Sequence, residues 1–165
     1  MTEKQKYALN KIITALPDNC RETFREVAEY AVLLGYMPKL NAKETYADFI
    51  KSKHGRTILK IDINAAPPRL ALRFDALRVY SGIFQEAVEN RVNLLEGCSW
   101  FTGNCHNCGK CDRTQGYSYE LSDGRKGFFC GSGVIDMPLF GDEHIAEIKN
   151  ALKTQDDYLM SLFAK

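Results

Sequence analysis

The sequence predicts an α+β fold, with a helical N-terminal part that includes a β-hairpin, then a small metal-stapled β-hairpin and a C-terminal helix. Three observations predict it. Apolar residues recur at helical spacing near both ends, they alternate with polar residues in the middle, and a cysteine cluster precedes a second alternating stretch. With 165 residues, the chain can form one domain, or one domain with a small metal-bound appendage.

The N-terminal helices have clear start and stop signals. Thr2 followed by Gln5 is the pattern of a capping box, and an apolar face follows up to residue 16. Pro17 suits the start of a second helix, residues 18–34, which Gly35 ends. A third, shorter helix is predicted to begin at Asn41, because a glutamate follows three residues later, and to end at residues 54–55.

Alternation then replaces helical spacing. Residues 57–63 and 69–74 read as two half-buried strands joined by a loop of hairpin length. An amphipathic helix follows at about 77–95, and the last helix is predicted to begin near Asp142, a good N-cap residue. We therefore divide the chain into an α+β part, residues 1–97, and a cysteine-cluster hairpin with the C-terminal helix, residues 98–165. This division is compatible with packing as one domain.

Composition narrows the function classes. The formal net charge of +1 argues against attachment to nucleic acid mainly by bulk electrostatics. No apolar run approaches the roughly 20 residues that span a bilayer, and the N-terminus has no apolar signal-peptide core. We therefore expect a cytoplasmic protein without a membrane partner. Thiols stay reduced there, and clustered cysteines are more often metal ligands than disulfides.

The cysteine cluster is the strongest functional signal. Cys105, Cys108 and Cys111 fall within seven residues, with Cys98 before them and Cys130 after them. Zinc takes four thiolate or imidazole ligands in a tetrahedron. A hairpin with so few core residues would also need the folding free energy that a bound metal supplies. We expect zinc to be structural and its ligands to be Cys105, Cys108, Cys111 and Cys130.

Cys130 is chosen as the fourth ligand from the predicted hairpin. Residues 117–121 and 126–130 are strand-like, and the Asp-Gly pair between them favours a two-residue turn. That register places Tyr117 opposite Cys130 and returns Cys130 to the base of the hairpin. An aromatic and aliphatic wall would then share the face of Cys130 and shield the metal from water. Its predicted members are Tyr117, Tyr119, Leu121 and Phe128.

Other ligand sets stay open. Cys98 could replace Cys111 or Cys130, and His106 is near enough in sequence to compete. The triple Cys-x-x-Cys-x-x-Cys with a distant fourth cysteine also suits a [4Fe–4S] cluster. Against that cluster, Asp112 and Arg113 follow the triple where a ferredoxin would place its next cysteine and proline.

Residues 98–130 resemble the zinc-ribbon-like, cysteine-cluster C-terminal segments of uncharacterised bacterial proteins. The resemblance rests on the cysteine-rich turn, the Tyr-x-Tyr strand, the Asp-Gly turn and the strand that ends in cysteine. It extends at most over residues 98–165. It implies a structural metal and names no activity.

Function is predicted only by class. The first hypothesis is a non-catalytic binding or regulatory module with a structural zinc site, for which protein and nucleic acid are both open as partners. The alternative is a [4Fe–4S] electron-transfer protein, and a third is an enzyme with an open zinc position. Basic residues around the first hairpin, among them Lys60, Arg69 and Arg73, are interpreted as a solvated sheet face rather than an anion-binding surface.

Overall fold

The computed structural model describes residues 1–80, 82–96, 116–131 and 133–164. It confirms the α+β class, with two helices, four strands, a helix, three further strands and a final helix in chain order. The elements are α1 (Glu3–Thr14), α2 (Asp18–Leu33), β1 (Met37–Leu40), β2 (Tyr46–Lys51), β3 (Arg56–Asp62), β4 (Arg69–Leu72), α3 (Gly82–Glu96), β5 (Gly116–Glu120), β6 (Lys126–Cys130), β7 (Ile135–Asp136) and α4 (Ile145–Leu162).

Helices α1 and α2 form as predicted. The Gln5 N–H donates to the Thr2 hydroxyl at 3.3 Å, and the Thr2 N–H donates to Gln5 Oε1 at 2.8 Å, which completes the capping box. Gly35 follows α2 with a φ of +91°, a left-handed conformation that glycine adopts without strain. The chain therefore turns sharply from α2 into β1.

The predicted third helix is wrong, because residues 41–45 form the turn between β1 and β2, and β2 occupies the rest of the predicted range up to Lys51. The Asn41 side-chain oxygen accepts the N–H groups of Thr45 at 2.8 Å and Tyr46 at 3.1 Å. It closes the turn between the two strands instead of capping a helix. Ala47 and Phe49 are buried, with the half-buried Asp48 between them, which is the alternation of a strand.

Five antiparallel strands make the main sheet, in the order β1-β2-β3-β4-β7. The predicted hairpin is confirmed as β3 and β4. β3 begins and ends one residue earlier than predicted, and β4 ends two residues earlier. Buried residues stand in cross-strand rows on one face, and α1, α2 and α4 contact these strands. The longest row contains Phe49, Leu59, Leu72 and Ile135.

The second half of the chain joins this sheet through β7, which pairs with β4. Helix α3 begins at Gly82, later than predicted, and buries Phe84, Val88 and Leu95. Asp142 does not cap the last helix. Its carboxylate instead accepts the Thr23 hydroxyl at 2.7 Å, a 3-10 turn spans Asp142–His144, and α4 begins at Ile145. The division of the chain at residue 97 stays a prediction.

Candidate metal centre

Of the predicted metal ligands, Cys130 alone lies among the described residues. Cys105, Cys108 and Cys111, together with the alternates Cys98 and His106, fall outside them. Cys130 ends β6, is half-buried and takes part in no disulfide. Its strand partner is Gly116, the first described residue after the cysteine segment. Within the described ranges, no three His, Cys, Asp or Glu side chains gather as a metal site.

The predicted register of this hairpin is wrong by one residue. Leu121 pairs with Arg125 through a 2.8 Å hydrogen bond from the Leu121 N–H, so three residues form the loop rather than two. Gly124 has a φ of +87°, and the Arg125 N–H donates to Asp123 Oδ1 at 3.0 Å. The Asp-Gly pair therefore builds a three-residue loop that ends in a left-handed glycine.

This shift changes the surroundings of Cys130. Tyr117 now pairs with Phe129, and Cys130 lies on the other face of the hairpin, beside Ser118 and Phe128. The predicted wall is thus wrong for Tyr117, Tyr119 and Leu121, whereas Phe128 does share the face of Cys130. Instead, Tyr117, Tyr119, Leu121 and Phe129 are buried against the protein core.

Tyr117 anchors the hairpin in that core. It is fully buried, its ring stacks on Phe129 at 4.9 Å between centroids, and it meets Phe74 edge-to-face at 5.1 Å. The Phe74 N–H donates to the Tyr117 hydroxyl oxygen at 3.1 Å. Burial, with the nearby Asp75 carboxylate, raises the pKa of Tyr117 well above its usual range, so the phenol is neutral.

Two glycines allow close packing at the base of the hairpin. A Cβ at Gly131 would lie 2.9 Å from the Asp75 carboxylate carbon and 3.0 Å from the Cα of Gly116. A Cβ at Gly116 would lie 2.4 Å from both the Phe128 ring and the Phe129 carbonyl oxygen. Larger residues would force the strands away from Asp75 or from each other.

The end of α3 approaches the same hairpin. The Arg125 guanidinium contacts Glu96 and donates to Asn93 Oδ1 at 2.8 Å. A cavity of about 280 Å³ is lined by Leu95 of α3, by Tyr117 and Phe129, and by Cys130. Gly116, which follows the cysteine segment, is thus the strand partner of Cys130, and Leu95, which precedes it, lines the same cavity as Cys130.

A buried polar cluster, which sequence reasoning missed, lies beneath the hairpin. Arg73 and Asp75 are 3% and 2% exposed, and Arg73 Nε is 3.8 Å from Asp75 Oδ1. Gln155 donates to Asp75 at 3.0 Å and accepts the Ala76 N–H at 2.8 Å. Burial raises the pKa of Asp75, although Arg73 opposes that rise. The prediction that Arg73 faces solvent is wrong. Arg73 comes directly after the last residue of β4, and its side chain is buried in the interior.

The other basic residues predicted on this sheet face have partners. The Lys60 ammonium lies 3.6 Å from the centre of the Tyr46 ring. Arg69 donates to Asp136 at 3.0 Å and to Asp62 at 3.2 Å. These contacts agree with the interpretation of Lys60 and Arg69 as part of a solvated sheet face.

A second polar chain links β2 to α4. The Arg56 N–H donates to His54 Nδ1 at 3.0 Å, so a neutral His54 ring carries its proton on Nε2, 3.2 Å from the Tyr36 hydroxyl. Tyr36 donates to Asp156 Oδ1 at 3.0 Å, and the Lys51 ammonium donates to the same oxygen at 2.7 Å. Hydrogen bonds therefore connect His54, Tyr36, Asp156 and Lys51 without a break.

We expect this chain to make stability depend on pH. Burial, and then the Lys51 charge, lower the pKa of His54 below the value of about 6.5 in an unfolded chain. The unfolded state therefore takes up a proton on His54 at a higher pH than the folded state does. The contribution of His54 to the free energy of unfolding is complete above about pH 6.5 and is lost as the pH falls below it. Urea unfolding at pH 7.5 and 5.5 should show a larger loss for the wild type than for His54→Asn. Equal losses would contradict this assignment.

Comparison with protein-family models, with curated proteins and with solved structures gave no significant match. The resemblance to zinc-ribbon-like segments therefore stays an expectation from the sequence. No helix in the described part of the chain is both long and apolar enough to cross a bilayer.

Proposed function

We propose that this protein is a cytosolic binding or regulatory module whose second hairpin is held by a structural zinc ion. The single observation that carries the proposal is the position of Cys130 at the base of that hairpin. It is paired with Gly116, the first described residue after the cysteine segment, and it lines the same cavity as Leu95, which lies shortly before that segment.

Chain length then limits where the other thiols can lie. The five residues from Cys111 to Gly116 span at most about 18 Å, and the three from Leu95 to Cys98 at most about 11 Å. Paired residues in adjacent strands have Cα atoms about 5 Å apart. Chain length therefore lets Cys111 reach a metal bound to Cys130, and Cys98 lies within about 11 Å of Leu95, which lines the same cavity as Cys130. The proposed ligands are Cys105, Cys108, Cys111 and Cys130, with Cys98 and His106 as alternates, and the chain lengths are compatible with this set.

The zinc assignment is tested by removing one thiolate. Wild-type protein should contain one zinc per chain by mass spectrometry, and Cys130→Ser should bind zinc more than about 100-fold more weakly, because loss of outer-shell partners alone costs 10- to 100-fold. Cys20→Ser is the matched control. Cys20 lies near the start of α2, 3.6 Å from the Pro17 carbonyl oxygen, and should not affect metal content. Unchanged zinc in Cys130→Ser would remove Cys130 from the site.

A [4Fe–4S] cluster is the second candidate, and the spacing Cys105-x-x-Cys108-x-x-Cys111 favours it. Protein purified without oxygen distinguishes the two. A brown solution that contains iron and sulfide would establish the electron-transfer alternative, whereas colourless protein with zinc would exclude it.

A further inference from the structure

Strand β1 leaves one edge of the main sheet open. It pairs with β2 on one side and ends the strand order. The Asn41 N–H donates to the Tyr46 carbonyl at 3.1 Å, so Asn41 and Tyr46 are a hydrogen-bonded pair of this ladder. Because such pairs alternate, the backbone N–H and carbonyl of Lys39 point toward β2, and those backbone groups of Pro38 and Leu40 point away from it. Pro38 has no backbone N–H, so it leaves no unpaired donor at this edge. The outward polar groups of β1 are thus the Pro38 carbonyl and the N–H and carbonyl of Leu40.

A groove of about 720 Å³ follows this edge, between β1 and α1. Its apolar lining includes Ala8 of α1, Met37 and Leu40 of β1, and Ile50 of β2. The volume is within the range of protein ligand sites. A groove between a helix and a free strand edge can accept an extended chain, which gains main-chain hydrogen bonds from the strand and side-chain contacts from the groove.

The groove is also positively charged. Lys4 and Lys39 both line it, are exposed, and form no ion pair with a carboxylate of the described residues. Glu44, the acidic residue of the lining, lies 3.6 Å from the Lys11 ammonium and 3.3 Å from the Tyr7 hydroxyl. Its charge is therefore already compensated. Lys39 is paired across the ladder with Asp48. Burial raises the pKa of that carboxyl and the Lys39 charge opposes the rise, so the charge of Lys39 is partly compensated, whereas Lys4 has its charge available for a partner.

We propose that this groove binds an extended acidic segment of a partner protein, which adds to β1 as a further strand. This groove would be the binding site of the module proposed above, and its partner would be an acidic protein segment. Binding there does not depend on the metal. A second copy of this chain fits the edge less well. Antiparallel pairing of two β1 strands would bring the same lysines together and would present two prolines without N–H groups.

The probe is a fluorescein-labelled octapeptide of alternating glutamate and valine, with a lysine–valine octapeptide as its charge-reversed control. Fluorescence anisotropy at physiological salt should show binding of the acidic peptide and little of the basic one. The double variant Lys4→Glu/Lys39→Glu should weaken binding about tenfold or more. Lys6→Glu, which makes the same change on α1 outside the groove, should alter binding by less than about threefold.

The strand contact is tested separately. Leu40→Pro removes an outward N–H at an edge position that tolerates proline. It should bind about tenfold more weakly than Leu40→Val, which also shortens the side chain that lines the groove but keeps the N–H. Circular dichroism and zinc content are measured on every variant, so loss of the fold or of the metal is distinguished from loss of the groove. Equal binding of both peptides, or insensitivity to Lys4 and Lys39, would overturn the proposal. Self-association abolished by Leu40→Pro would assign the edge to a second copy instead.

Discussion

Tyr117→Ala is expected to lower the free energy of unfolding by about 3–5 kcal/mol, as for other large aromatic residues removed from cores. Tyr117 is fully buried, and its ring contacts Phe74 and Phe129, so the change leaves a cavity where the second hairpin meets the core. It also leaves the Phe74 N–H without its hydroxyl acceptor. Urea unfolding followed by far-ultraviolet circular dichroism gives the loss from the shift in midpoint.

Tyr117→Phe separates packing from hydrogen bonding. The ring is kept, and the cost should fall to about 1–3 kcal/mol, that of one unsatisfied buried N–H. If Tyr117→Ala unfolds at nearly the same urea concentration as the wild type, the hairpin does not pack on the core as described.

The second large effect is expected from Asp156→Leu, at about 3–5 kcal/mol of unfolding free energy. Asp156 accepts hydrogen bonds from both Lys51 and Tyr36, and the Lys51 and Asp156 side chains are 17% and 10% exposed. Removing the carboxylate leaves a mostly buried ammonium group without its counter-charge. The measurement is again the free energy of unfolding in urea at neutral pH.

Two controls isolate the buried charge. Adding Lys51→Met to Asp156→Leu should recover most of the lost stability, since an apolar pair replaces a single uncompensated charge. Asp157→Leu on the same helix breaks the exposed pair with Lys153 and should cost less than about 1 kcal/mol. No recovery in the double variant would mean that Asp156 stabilises the fold mainly through Tyr36.

Local signals predicted the helices and the central hairpin well, because the residues that specify them are adjacent in sequence. The capping box at Thr2 and Gln5 is one such case, confirmed in atomic detail. The same kind of signal failed at Asn41, since an Asn side chain can accept backbone N–H groups in a turn as readily as at a helix start. The alternation after it was the better guide.

The register of the hairpin that ends at Cys130 could not be predicted from its turn residues. An Asp-Gly pair suits both two-residue and three-residue loops, and the choice here goes with the bond from the Arg125 N–H to Asp123. One residue of register moves Cys130 to the opposite face. The buried cluster of Arg73, Asp75 and Gln155 had no sequence signal, because charged residues are usually exposed and Gln155 comes from a segment 80 residues away. The metal ligands stay a prediction.

The pairing of β4 with β7 gives the second hairpin an indirect influence over the main sheet. Joining these strands closes a long loop, whose entropic cost grows with the number of freely moving residues inside it. Helix α3 and the β5–β6 hairpin lie within that loop, and each shortens its flexible part when it forms. Any ion that orders the hairpin would therefore also favour the pairing of β7 with β4. It would do so without touching either strand, by lowering the entropic cost of closing the loop between them.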